Sequence, residues 1–341
     1  TMLNRITPFV NNETNEERRI KMDRAHLHVI KLVRMCAGKK SSLDLAQLLA
    51  KLALYSKYQL LDYQRCLDYA LRAHAMFKKC YSHQSVNMDL ADSFYRLADA
   101  YSLLGDARKS LAHHQQSLDI KKKLFNTDVH PSVAASLNSI GSAHIALGDQ
   151  KKALVFYQKS LDIKQQLYEH GNHPDIAASM GNIAIVYKTL GETSKALEYH
   201  HKSLDMYKSI YKGNHPDIAS SLNNIGLAYK SSGEFKKALD YYQQSLKMER
   251  QLYSGNHPKI AIALNNIGLA YFSLGNAKKA LDFFNQSLKM KQSLYGQSHP
   301  SIVISLNNIG SAYNALGEPK KSIEFYNKAS SMEQQINLGL F

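Results

Sequence analysis

The sequence predicts an all-α fold of antiparallel helix pairs stacked in tandem, and three observations predict it. His-Pro returns at His130-Pro131, His173-Pro174, His215-Pro216, His257-Pro258 and His299-Pro300, in steps of 43, 42, 42 and 42 residues. Glycine returns in phase at Gly105, Gly148, Gly191, Gly233, Gly275 and Gly317. Between these marks the apolar residues keep a helical spacing. A fixed period of this length marks a repeat architecture, because no single unit can hide its apolar face without neighbours.

The unit from His215 to Asn256 justifies each element in turn. Ile218, Leu222, Ile225 and Tyr229 lie four, three and four apart and form one apolar face of a first helix. Pro216 opens it, where a missing N–H costs nothing, and Asp217 suits its positive end. Gly233 closes it as a left-handed residue after the last turn. A second helix follows, carrying Ala238, Leu239, Tyr242 and Leu246, with Leu252 and Tyr253 further on.

Six such units occupy residues 87–337. Residues 41–86 read as a degenerate helix pair, since CLDYALRAHAMFKKCY aligns with SLAHHQQSLDIKKKLF but its turn glycine is lost. Residues 1–40 read as a charged helical segment, a cap or a connection. At the other end Ser330 takes the place of the core residue Leu288, as a terminal repeat with no following neighbour should show.

Composition narrows the function classes. No apolar run reaches the roughly 18 residues a membrane helix needs, and no charged-then-apolar leader opens the chain. Cys36, Cys66 and Cys80 are poor material for a disulfide framework and fit a reducing compartment, so the cytoplasm is expected. Phosphate-binding, zinc-protease and serine-hydrolase motifs are absent, and no enzyme and no cofactor are expected. Of the 15 histidines, five stand at the His-Pro positions and four as the adjacent pairs His113-His114 and His200-His201. Helices lie about 8–10 Å apart and a Zn–N bond is about 2 Å, so they predict no metal site.

Gly226, Tyr229, Ala238, Tyr242 and Ser245 stand in a pattern that resembles the tetratricopeptide repeat (TPR) family. The 42-residue unit with HPDIA, LNNIG and a trailing LY looks most like the repeats of kinesin light chain. The resemblance covers residues 87–336. It implies a right-handed superhelical solenoid whose first helices line a concave groove, and a scaffold or adaptor that captures an extended segment of a partner protein.

The groove candidates follow from this resemblance and from helical phase. Asparagine pairs stand at Asn223-Asn224, Asn265-Asn266 and Asn307-Asn308, with partial forms at Asn138 and Asn182. An amide offers a donor and an acceptor to a peptide backbone without reading its side chains. The alternative is that these amides bridge adjacent first helices and stiffen the stack. Arg96, Lys188 and Lys230 would make the groove basic, and Leu227 and Leu269 would give it an apolar floor, suiting an acidic segment. The Lys/Arg clamp of chaperone-binding TPRs is missing: its position reads Asp92, Ala135, Ala178, Ser220, Ile262 and Ile304.

The net charge is +15. Lysines cluster where second helices begin, at Lys151-Lys152, Lys195, Lys236-Lys237, Lys278-Lys279 and Lys320-Lys321. They read as a solvated face, with a ridge for nucleic acid as the alternative. A third reading, in keeping with a first residue Thr1, makes the chain the sensor or scaffold part of a larger signalling protein.

Overall fold

The computed structural model describes residues 43–60, 62–81, 86–169 and 171–337; the expected segment 1–40 lies outside them. Among the described residues there is no strand. The chain divides into two compact units, one ending at Phe156 and one beginning at Tyr157.

In the first unit α1 (Leu43–Tyr55) runs into a π-helical segment, Ser56–Leu60, and is followed by α2 (Tyr63–Cys80). The pairs α3 (Met88–Leu103) with α4 (Ala107–Phe125), and α5 (Pro131–Ala146) with the first part of α6 (Gln150–Leu167), complete it. The second unit holds the rest of α6 and three more first helices, each followed by its partner: α7 (Pro174–Thr189) and α8 (Thr193–Ile210), α9 (Pro216–Ser231) and α10 (Phe235–Leu252), α11 (Pro258–Ser273) and α12 (Ala277–Tyr295). The last pair is α13 (Pro300–Ala315) and α14 (Pro319–Asn337).

Each turn within a pair is closed by its glycine. Gly233 has φ +79°, its N–H donates to the Lys230 carbonyl and the next N–H, of Glu234, donates to the Tyr229 carbonyl. That two-bond closure satisfies carbonyls a helix end would otherwise leave unpaired. Within a pair, a small serine lets the helices approach and ties them together. Ser203, Ser245 and Ser287 donate their hydroxyls to the carbonyls of Ala177, Ala219 and Ala261 at 2.7–2.8 Å.

Each His-Pro histidine from His130 to His299 caps a first helix. Its Nδ1 accepts the backbone N–H two residues on, at 3.1–3.3 Å. The ring also stacks on the aromatic that ends the preceding second helix. Phe125–His130, Tyr168–His173 and Tyr211–His215 have ring centroids 3.4 Å apart, Tyr253–His257 3.5 Å and Tyr295–His299 4.2 Å. One side chain thus terminates one unit and starts the next.

Between successive repeats, the second helix sends a polar residue against the next first helix. Lys164 and Lys291 donate to Ser179 and Ser305 Oγ, each at 2.7 Å. At the same place α10 carries Glu249, whose opposite number is Ala263; its Oε2 is buried without a hydrogen bond. Burial raises the Glu249 pKa, and nearby Lys259 only partly opposes this.

Candidate functional site

The first helices of the second unit present one repeated stripe. Counted from the helix-opening proline, positions four, seven, eight and eleven share a face because they follow the i, i+3, i+4, i+7 spacing. On α9 these are Ser220, Asn223, Asn224 and Leu227, with Lys230 one turn on; on α11 they are Ile262, Asn265, Asn266 and Leu269. The equivalent residues on α7 are Ala178, Gly181, Asn182 and Ile185, followed by Lys188. On α13 they are Ile304, Asn307, Asn308 and Ser311.

The asparagines are not equivalent. Asn266 Nδ2 donates to Asn223 Oδ1 at 2.8 Å, and Asn308 Nδ2 donates to Asn265 Oδ1 at 2.9 Å. The second amide of one repeat therefore reaches back to the first amide of the repeat before. At these two junctions the bridging alternative is what the structure contains. The first unit uses the same two positions with other residues: Tyr95 Oη and Ser139 Oγ lie 3.1 Å apart.

Asn224 breaks the series. Its partner position is Gly181, which has no side chain, so its amide makes no such bridge. A Cβ at Gly181 would meet only Ser203 Oγ, at 3.8 Å, so the space across from Asn224 is open. Asn307 is exposed, while Asn138 and Asn182 are half-buried.

Charge gathers further along the stripe. Lys188 and Lys230 are half-buried at equivalent positions of α7 and α9. Burial, and then repulsion from Lys188, lowers the Lys230 pKa. An anion there would relieve both lysines. Further along, the stripe turns apolar, with Ile262 50% and Ile304 56% exposed and Leu269 half-buried beside them. Ile185 of α7 is 41% exposed. These three isoleucines were not foreseen as lining residues, although an isoleucine at an outward helical phase was a signal that could have found them. Leu227 is half-buried as well, and Arg96 belongs to the first unit, half-buried on α3.

Part of the lysine ridge is paired within its own turn. Lys109, Lys152, Lys195, Lys237 and Lys321 each pair with the acid three residues earlier, at the start of the same helix, within 3.0 Å. Four of these, and Lys279, also stand over the tyrosine that ends the first helix, 5.1–5.3 Å from its ring centre. Their position is explained by the turn they brace. Among the described residues no group of three His, Cys, Asp or Glu could hold a metal, and no helix is long and apolar enough to cross a membrane.

The Tetratricopeptide repeat profile matches residues 89–166, 175–251, 217–293 and 259–335. The chain belongs to the tetratricopeptide repeat family. The TPR fold is typically a non-catalytic scaffold for protein interaction, and no catalytic family is indicated. Similar solved structures include BtubC (BKLC) from P. vanneervenii, at 22% identity and a TM-score of 0.60, covering 68% of this chain and 92% of that one. Another is an array of nearly identical TPR-like repeats ascribed to a kinesin light chain of Podosopora anserina, at 20% identity and a TM-score of 0.53, covering 61% and 98%. A third is a Rap protein complexed with Competence and Sporulation Factor, at 15% identity and a TM-score of 0.60, covering 90% and 80%. At these identities the likeness is one of fold. No curated protein matches the sequence.

Proposed function

We propose that this TPR array is a peptide-binding scaffold whose first-helix stripe in the second unit holds an extended, acidic segment of a partner protein. The observation that carries the reading is the open amide of Asn224 on a stripe that carries the Lys188 and Lys230 ammonium groups further along. An amide free to donate and accept can hold one peptide group, and two crowded lysines favour a carboxylate. Exposed Ile262 and Ile304 supply apolar contact further along the stripe, which hydrogen bonds alone would not replace. The Rap structure, a similar fold in complex with its factor, supports the general use of such an array for capture.

The test uses an array of capped, extended acidic peptides and reads affinity by fluorescence anisotropy. Asn224→Ala should weaken the best binder about three- to tenfold, the equivalent of one hydrogen bond. Gly181→Asn should do the same by giving Asn224 the bridge its neighbours have, while raising the melting temperature. Charge reversal at Lys188 and Lys230 should abolish binding at low salt. Unchanged affinity in all three variants would overturn the proposal.

A further inference from the structure

A cavity opens away from the stripe, lined mainly by second helices. It lies between α10 and α12, measures about 450 Å³, and is floored by Leu246, Ile267 and Phe283 and rimmed by Gln243, Lys247 and Arg250. Its size lies within the roughly 300–1,000 Å³ of ligand pockets.

The preceding repeat shows what such a space accepts. There the His201 ring stands edge-on against Tyr241 and Tyr229, with centroids 5.9 and 6.5 Å apart. One repeat later the same three positions hold Gln243, Phe283 and Tyr271. Phe283 stacks on Tyr271 at 5.6 Å, and no ring takes the place of His201. Gln243 lacks the partner that its equivalents have. Gln115 and Gln158, in the same phase, donate to Asp119 and Asp162 four residues on; four residues after Gln243 stands Lys247, which has no acceptor to offer.

The rim changes sign at the same point. The residue beside the ring is Asp205 in the preceding repeat, near enough to Tyr241 for its charge to act on the phenol. In this repeat it is Lys247, and Arg250 replaces Lys208. An apolar-floored cavity therefore carries two exposed cations at its mouth.

We propose that this cavity docks an aromatic side chain of an acidic partner segment, the ring entering against Phe283 and flanking carboxylates pairing with Lys247 and Arg250. The ring would take the place that His201 fills one repeat earlier, and the carboxylates answer the rim, where the arginine fork can bind one in bidentate fashion.

The test titrates a capped Asp-Glu-Phe-Glu-Asp peptide into the full chain, labelled at isoleucine and leucine methyls for NMR. Leu246 and Ile267 should shift together. Gln243→His, which restores the ring of the preceding repeat, should weaken the peptide at least tenfold with the melting temperature unchanged. Lys247→Glu with Arg250→Glu should do likewise, and replacing the peptide phenylalanine by alanine should remove the shifts. Silent Leu246 and Ile267 methyls at millimolar peptide, equal binding by the alanine peptide, or full affinity in Gln243→His would overturn the site. Shifts confined to Ile262 and Ile304 would place the peptide on the first-helix stripe and overturn it equally.

Discussion

The repeat formed by α7 and α8 differs from the two that follow it in one core contact and one surface contact. In the later repeats a glycine meets a large ring. A Cβ on Gly226 would come within 2.6 Å of the Tyr242 ring, and one on Gly268 within 2.6 Å of Phe284. In the α7–α8 repeat the same two positions are Ala184 and His200, both buried. The imidazole is smaller, and the methyl takes up the difference. On the surface, Gly181 replaces the asparagine that Asn223 and Asn265 supply. One repeat thus trades a neutral core ring for a titratable one, and a closed amide bridge for an open one. Repeats of one family can share a backbone plan and still differ in how their core rings and surface amides are used.

Acid should separate the two kinds of repeat most strongly. Burial, then the charges of Lys188 and His201, lower the His200 pKa to about 4. The unfolded chain, with an ordinary histidine near 6.5, takes up the proton first as pH falls. Stability is therefore full above pH 6.5 and declines between 6.5 and 4, by as much as about 3 kcal/mol for so buried a ring. Ala184→Gly with His200→Tyr converts the repeat to the form of its neighbours and should remove that share of the loss. A pH–melting profile identical in the double variant would break the comparison.

Gly268→Ala tests the core contact from the other side. Overpacking against Phe284, which is 1% exposed, should cost about 1–3 kcal/mol despite the better helix propensity of alanine. Adding Phe284→His should recover part of it in a double-mutant cycle. Additive effects would mean the pair is not coupled.

The amides come next. Asn266→Ala strands the Asn223 oxygen in a half-buried place and should cost about 1–2 kcal/mol. Asn224→Ala removes no bridge and should stay within about 0.5 kcal/mol. Chemical denaturation of both variants decides whether the two junctions differ as described.

The smallest effect concerns the buried carboxyl of α10. Because the folded-state pKa of Glu249 is raised, its ionised form opposes folding as pH rises through that value. Glu249→Gln should therefore stabilise the protein at pH 7, by about 1 kcal/mol. The gain should vanish in acid, and a loss at pH 7 would show that attraction to Lys259 outweighs burial.

Much of the fold was legible because the repeat states it several times over. Pro216 stands at the first helical turn, Gly233 takes a left-handed conformation, and Ile218, Leu222 and Ile225 are buried. The amide bridges were less legible for a geometric reason. They join residues 43 apart in an array that steps by 42, so a helical wheel shows both asparagines facing outward but not which two meet. The lysine contacts were hidden for a similar reason: a sequence shows the charge, but not the tyrosine beneath it or the acid beside it. The cavity at Phe283 was illegible because it is an absence, visible only when one repeat is laid over the next.

The histidine caps carry a further consequence. An Nδ1 that accepts a backbone N–H has no proton of its own, so each of these five imidazoles must hold its hydrogen on Nε2. The loops are therefore fixed in one tautomer, from His130 to His299. Their ring nitrogens should give a matching set of ¹⁵N resonances, one per connection, and any loop that opens would announce itself by leaving the set.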